Sequence, residues 1–268
     1  MAGAWEKYDM WLNNNFEWFD RMLIERAGVS QGHRVLDLGS GTGNPALAAA
    51  KIAGPEGSVD GLDLAEKMLE VARKRAGAQG IQNARFHACD AGAIPFEDES
   101  FDAATSRFCL MFVPELGKVL SQVHRVLKPG ARFTACVWGD ANKNLSFTLA
   151  MRVLGEFVEM PPPDPDGPGM FNLGKPGFMS AKLAEAGFTG AVEEPTEFTM
   201  TFPSMEFYLD NMREMAAPVK VILETLDEPT RAMAMERIRE EAAKSATESG
   251  ELKFTGEAMV VSAAKGTA

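Results

Sequence analysis

Apolar positions recur along this chain with two periods, and the alternation between them outlines an architecture. Trp5, Tyr8, Trp11, Leu12, Phe16, Phe19 and Leu23 fall three and four residues apart, which places them on one face of an amphipathic helix over about residues 5–26. Short apolar runs then predict strands near 34–38, 58–62, 84–88, 102–106 and 131–138. Helical stretches near 45–53, 66–79 and 115–126 separate them. Strand and helix alternating in this way predict an α/β fold built on a parallel, doubly wound sheet.

After Trp138 the pattern changes. Residues 146–160 read as a helix, and Pro161–Gly169 as a stiff loop dense in proline. Residues 178–186 read as a helix stopped by Gly187, and 191–202 as a sixth strand. Residues 204–248 are helical by periodicity with breaks at Pro218 and Pro229, and 253–264 return as a seventh strand, antiparallel to the sixth. The expected organisation is an N-terminal helical lid (1–30), a ligand-binding core (31–140), and a loop-and-helix segment with the sixth strand (141–203). A helical lid insertion (204–250) and a final strand with its tail (251–268) follow. Ligands in such sheets bind at the carboxyl ends of the strands, so segments inserted after the fifth and sixth strands are expected to roof that cleft.

The chemistry concentrates at the end of the first strand. Val35, Leu36 and Leu38 make a buried strand with Asp37 near its exit, and Gly39-Ser-Gly-Thr-Gly43 follows as a turn. Without Cβ atoms the backbone can pass close to a ligand. Residues 46–52 then continue as a helix, whose free N–H groups and positive dipole end suit a carboxylate or phosphate. A dinucleotide fits imperfectly. From Gly39 the third glycine comes too early, and from Gly41 the small residue Ala46 is in place but the strand ends too soon. A P-loop is excluded, because no Gly-Lys-Ser/Thr follows.

Val35–Gly43 resembles motif I of the class I S-adenosylmethionine-dependent methyltransferases, an acidic residue and a spacer before G-x-G-x-G. Three further segments fit in order. They are Val59-Asp-Gly-Leu-Asp63 with Leu64–Leu69, Phe86–Ala91 with Ile94-Pro-Phe96 and Ser100-Phe-Asp102, and Arg125–Gly130 before Arg132–Trp138. The resemblance covers about residues 30–138 and is nearest the ubiquinone and menaquinone biosynthesis branch. It implies a Rossmann-like, seven-stranded sheet, S-adenosyl-L-methionine as cofactor and S-adenosyl-L-homocysteine as product. It also implies methyl transfer by in-line displacement; the resemblance fades after residue 138, and a small, largely apolar acceptor is expected instead from the Met, Phe and Pro residues of the later segments. The cofactor residues implied by the resemblance are Asp37, Gly39, Ser40, Gly41, Gly43, Asp63, Leu64, Asp90, Ala91 and Arg107. Asp63 is expected at the ribose hydroxyls and Asp90 with the Ala91 N–H at the adenine. The glycine turn takes the methionine end, aided by Asp37, and the Arg107 backbone borders the same part. Plainer roles stay open: Asp63 as a helix cap, Asp90 as a loop acid, Asp37 as a structural acceptor for the turn, and Arg107 without side-chain chemistry.

Composition narrows the picture further. A net charge of −11 and a pI near 4.9 disfavour a nucleic acid substrate, and Arg73-Lys-Arg75 is expected to solvate the outer face of its helix. The three cysteines, Cys89, Cys109 and Cys136, are assigned to strands without metal-like spacing, which implies no metal and a reducing cytoplasm. No stretch is apolar enough to cross a membrane. The segments after Trp138 are rich in Met, Phe and Pro, so Met170 and Phe171, with the only tyrosines, Tyr8 and Tyr208, are candidate acceptor contacts. None of His33, His87 and His124 stands out as a base; His124 reads as a surface residue. Two alternatives remain: a non-catalytic S-adenosylmethionine-binding protein of this fold, or a nicotinamide-dependent oxidoreductase.

Overall fold

The computed structural model describes residues 2–160 and 167–267, without the side chains of residues 2–6 and 9. The Trp5 side chain and the proline loop over 161–166 therefore lie outside the described residues. A long helix, α1 (Ala2–Arg26), leads into alternating elements: β1 (Arg34–Leu38), α2 (Asn44–Ala53), β2 (Ser58–Asp63), α3 (Glu66–Ala78), β3 (Ala84–Ala88), β4 (Phe101–Arg107), α4 (Leu116–Val126) and β5 (Leu127–Trp138). Then come α5 (Leu145–Leu154), α6 (Phe178–Glu185), β6 (Phe188–Phe202), α7 (Met205–Met215), α8 (Ala217–Thr225), α9 (Glu228–Ala243) and β7 (Leu252–Lys265). The strands form one sheet in the order β3-β2-β1-β4-β5-β7-β6. The first five run parallel, and β7 lies antiparallel to both β5 and β6.

The chain divides into two compact units, one of residues 16–138, 166–196 and 258–268, the other of 1–15, 139–165 and 197–257. In the first, β1 is central, and Val35, Leu36 and Leu38 have no exposed surface. On one face α2 presents Ala46, Leu47, Ala49 and Ala50, which pack with Val59, Leu69, Ala72 and Phe86. Small side chains let this helix lie close to the sheet and bring its N-terminus to the glycine turn. The second unit gathers α5, α7, α8 and α9. Pro218 and Pro229 each fall in the first turn of a helix, where the missing N–H costs nothing, so each proline marks a helix start. Ser204 and Asp227 cap α7 and α9 through the amides of Phe207 (3.2 Å) and Thr230 (2.8 Å).

Three expectations change. The helix expected over 146–160 ends at Leu154, with Gly155 as its cap. β5 begins four residues early, because Phe101 pairs with Leu127 while Ala103 pairs with Arg132, leaving Lys128–Ala131 as a bulge. Of the cysteines only Cys136 lies in a strand; Cys89 follows β3 and Cys109 follows β4. Among the described residues no helix is long and apolar enough to cross a membrane.

Candidate functional site

Parallel pairing brings the ends of β1, β2, β3 and β4 to one edge of the sheet, and the candidate cofactor residues collect there. The glycine turn leaves β1 with left-handed backbone at Gly39 (φ 67°), Gly41 (φ 51°) and Gly43 (φ 92°), a region that penalises any Cβ. Sterics reinforce this, since a Cβ on Gly39 would collide with Cys109. Gly43 sits at the N-cap of α2 with no side-chain cap, so backbone N–H groups of the first turn remain available to a ligand.

Asp37 lies beneath the turn with no exposed surface. Ser40 Oγ donates to its Oδ2 (2.7 Å) and Thr105 Oγ1 to its Oδ1 (2.8 Å), so this carboxylate holds the turn against β4. Burial pushes its pKa up to about 7, opposed by those two hydrogen bonds. Asp63 closes the turn from the other side: Gly41 N–H donates to Oδ2 (2.9 Å) and Ala65 N–H to Oδ1 (2.8 Å). A carboxylate offers about four lone-pair directions, so both oxygens can still accept from a diol. Leu64, next along, is 77% exposed, an apolar side chain standing in solvent at the ligand edge. Asp90 is exposed after β3, with Oδ1 accepting from Gly92 N–H (2.8 Å), and Ala91 is half-buried beside it. These features fit S-adenosylmethionine: open amides for its amino acid end, a tethered carboxylate for a ribose, and an apolar side chain beside an acid for a purine.

Arg107 ends β4, and its side chain turns to α1: Nη1 donates to Asp20 Oδ1 at 2.8 Å, with both side chains largely buried. Burial raises the Asp20 pKa to about 6 even though Arg107 pulls it down. Phe108 follows with φ 51°, unusual for a bulky residue, and stacks on Trp138 at 3.8 Å and 7°. Burial likewise holds the Cys109 thiol up at about 12. Gly169 N–H donates to Met111 O (3.0 Å), so the loop carrying half-buried Met170 and Phe171 is tied just beyond β4.

Several contributors are not among the site residues expected from the sequence. Gly61 on β2 leaves room for the turn, because a Cβ there would stand 2.5 Å from Ser40 Oγ and 2.8 Å from the Phe86 ring. Arg75 Nη1 donates to Thr42 O (3.0 Å) and Oγ1 (3.2 Å), so the triplet 73–75 does more than solvate a helix. Arg73 also donates to Phe86 O (2.8 Å) and pairs with Glu66. His87 contacts Asp60 (2.9 Å) and His33 accepts from Ser30 N–H (3.3 Å). His124 is half-buried against Phe188 at 5.0 Å, where burial lowers its pKa, so it is not a free surface residue. Tyr8 and Tyr208 belong to the second unit, each 1% exposed. No cluster of potential metal ligands occurs among the described residues.

Residues 29–153 match a methyltransferase domain family, and the seven-stranded fold with this edge is that of the class I S-adenosylmethionine-dependent methyltransferases. S-Adenosylmethionine is the cofactor of that class. A demethylmenaquinone methyltransferase from Geobacillus kaustophilus is 42% identical over 115 residues, 43% of this chain and 49% of that protein. The chain thus spans about half the length of the curated relatives it matches. Among solved structures, the YcgJ protein from Bacillus subtilis aligns with TM-score 0.62 and 21% identity over 93% of this chain and 98% of that one. Phosphoethanolamine N-methyltransferase 2 from Haemonchus contortus, in complex with S-adenosyl-L-methionine, aligns with TM-score 0.56 and 22% identity over 92% and 52%. At these identities the two structures share the fold.

Proposed function

We propose that this protein transfers a methyl group from S-adenosylmethionine to a small, largely apolar molecule. The observation that carries the reading is the left-handed glycine turn, latched by Asp63 at an uncapped helix N-terminus. In this reading Gly39, Ser40, Gly41 and Gly43 receive the amino acid end, with Asp37 fixing their geometry from below. Asp63 accepts the ribose hydroxyls, Leu64 covers the adenine, and Asp90 and Ala91 meet its edge. The Arg107 backbone borders the methionine part while its side chain anchors α1. When bound, the cofactor supplies an electrophilic methyl on a sulfonium, so the chain has to place the acceptor and exclude water. Relatives named for demethylmenaquinone support an apolar acceptor, and Met170 and Phe171, in the same unit as the cofactor edge, are the residues we assign to it. We assign no general base, since the three histidines are engaged elsewhere in the fold.

The test is calorimetric titration of the full chain with S-adenosylmethionine, S-adenosylhomocysteine and NADH, followed by transfer of labelled methyl to a panel of phenols, quinols and amines. We expect micromolar-range binding of the first two, none of NADH, and transfer to an apolar member of the panel. Preferential NADH binding would sink the reading, and tight cofactor binding without any transfer would leave only a binding protein. Asp63→Ala should weaken S-adenosylmethionine binding at least tenfold, about 1.4 kcal/mol; unchanged affinity would remove Asp63 from the ribose.

A further inference from the structure

One face of α3 follows the glycine turn along its length. Met68, Ala72 and Arg75 are spaced four and three residues apart on that helix, so they share a face. Each meets the turn at a different residue. A Cβ on Gly41 would stand 3.1 Å from Met68 Cε, and one on Gly43 would stand 2.9 Å from Ala72 Cβ. At Thr42, between them, Arg75 Nη1 donates to the carbonyl (3.0 Å) and to the hydroxyl (3.2 Å). Thr42 is 8% exposed and Arg75 is half-buried, so the contact is largely shielded from water.

The arginine acts on the turn in two ways. Its bond to Thr42 O fixes the Thr42–Gly43 peptide, whose other end is held because Gly43 N–H donates to Ser40 O (2.7 Å). The peptide that leads into α2 is therefore held from both sides. The second effect is electrostatic. Two acids shape the turn, Asp37 through Ser40 and Asp63 through Gly41. Their fields extend across it, since burial and then Asp63 and Asp37 raise the Cys109 thiol. A ligand carboxylate arriving at these amides meets like charge, which opposes it. A guanidinium stays ionised throughout the physiological range, and Arg75 brings that positive charge onto the same three residues. Its field also reaches Asp20 on α1, whose carboxyl is raised by burial and lowered by Arg107 and Arg75.

We propose that Arg75 is a positioning residue that makes the turn selective for ligands carrying an amino acid end. It orients the Thr42–Gly43 peptide toward that end and offsets the negative potential of Asp37 and Asp63 against the incoming carboxylate. This rests on the methyl-transfer reading, in which the turn receives the amino acid end of the cofactor. The probes are S-adenosylhomocysteine and 5′-methylthioadenosine, in which a methyl group replaces the whole amino acid chain while adenine, ribose and sulfur are kept. Both are titrated calorimetrically into the full chain, and the wild type should prefer S-adenosylhomocysteine. Arg75→Met should bind S-adenosylhomocysteine about tenfold more weakly than wild type and 5′-methylthioadenosine within about twofold of it. Arg75→Lys keeps the charge and a donor for Thr42, so it should recover most of the lost affinity.

If Arg75→Met weakens both ligands alike, Arg75 is a structural tie and the proposal is overturned. It is overturned equally if Arg75→Met weakens neither, if the wild type shows no preference between the two, or if Arg75→Lys binds no better than Arg75→Met. A wild type that binds neither ligand would overturn the methyl-transfer reading and this inference with it. The wild-type titrations thus report on that reading, and the variants on Arg75, so the two failures are distinguishable.

Discussion

Asp37 carries the most consequential protonation in the glycine turn. The strand position and the following glycines were enough to single it out, but its work was not legible, because Thr105 comes from a strand 68 residues away. With a folded pKa near 7 against about 4 for an ordinary carboxylate, the folded protein holds this proton more readily than the unfolded chain. The resulting stabilisation is complete below about pH 4 and is lost as pH rises through 7. Asp37→Asn cannot titrate there. Its stability relative to wild type, from urea midpoints, should therefore improve between pH 5 and pH 8, by at most about 4 kcal/mol. A pH-independent difference would show that burial does not perturb this acid. Asp63, by contrast, was legible in type and place, because an acid ending β2 needs only the local sequence. Its second bond, to Gly41 N–H, required the fold.

At the scale of elements, the joints between helices and strands decide whether the ligand edge keeps its shape. The ion pair of Asp20 with Arg107 fastens the second half of α1 to the end of β4. Removing one partner leaves a buried charge uncompensated, a loss of about 3–5 kcal/mol. Arg107→Met should cost an amount in that range, and Asp20→Asn/Arg107→Met less than the sum of the single changes. Hydrogen exchange of residues 16–26 should quicken in Arg107→Met; unaltered protection would mean that aromatic packing alone holds the helix. Gly61→Ala tests the other joint. Its Cβ meets Ser40 Oγ and Phe86, so we expect about 1–3 kcal/mol of destabilisation and weaker S-adenosylmethionine binding. Periodicity placed α2, α3 and the first three strands to within about a residue or two, because each is bounded by its own glycine or polar turn. It extended α5 past Gly155, and it put Cys89 and Cys109 in strands, because apolar character does not distinguish a strand from the buried loop that leaves it.

For the whole molecule, strand order was the least legible property. The pattern supplied seven strands and an antiparallel end, but which strand lies next to β5 depends on long-range pairing that no local window contains. The answer is β7, which pairs with β5 from Arg132↔Ala264 to Trp138↔Ala258. Deleting residues 252–268 removes none of the candidate cofactor residues. It nevertheless bares the β5 edge, so the truncated chain should aggregate instead of binding S-adenosylmethionine. A soluble, cofactor-binding truncation would contradict this. The charge of −11 leads to a second expectation, namely no gel shift of single- or double-stranded RNA at about 0.1 M salt, where phosphate affinity needs clustered cations.

That strand order also bears on how the protein is made. On the ribosome β6 emerges well before β7, yet β7 takes the inner place between β5 and β6. A nascent chain that has exposed β6 has no finished neighbour for it, and β6 must wait, or be shielded, while some fifty residues of helix are translated. Chaperone demand should therefore peak late in synthesis, after the cofactor edge has already formed.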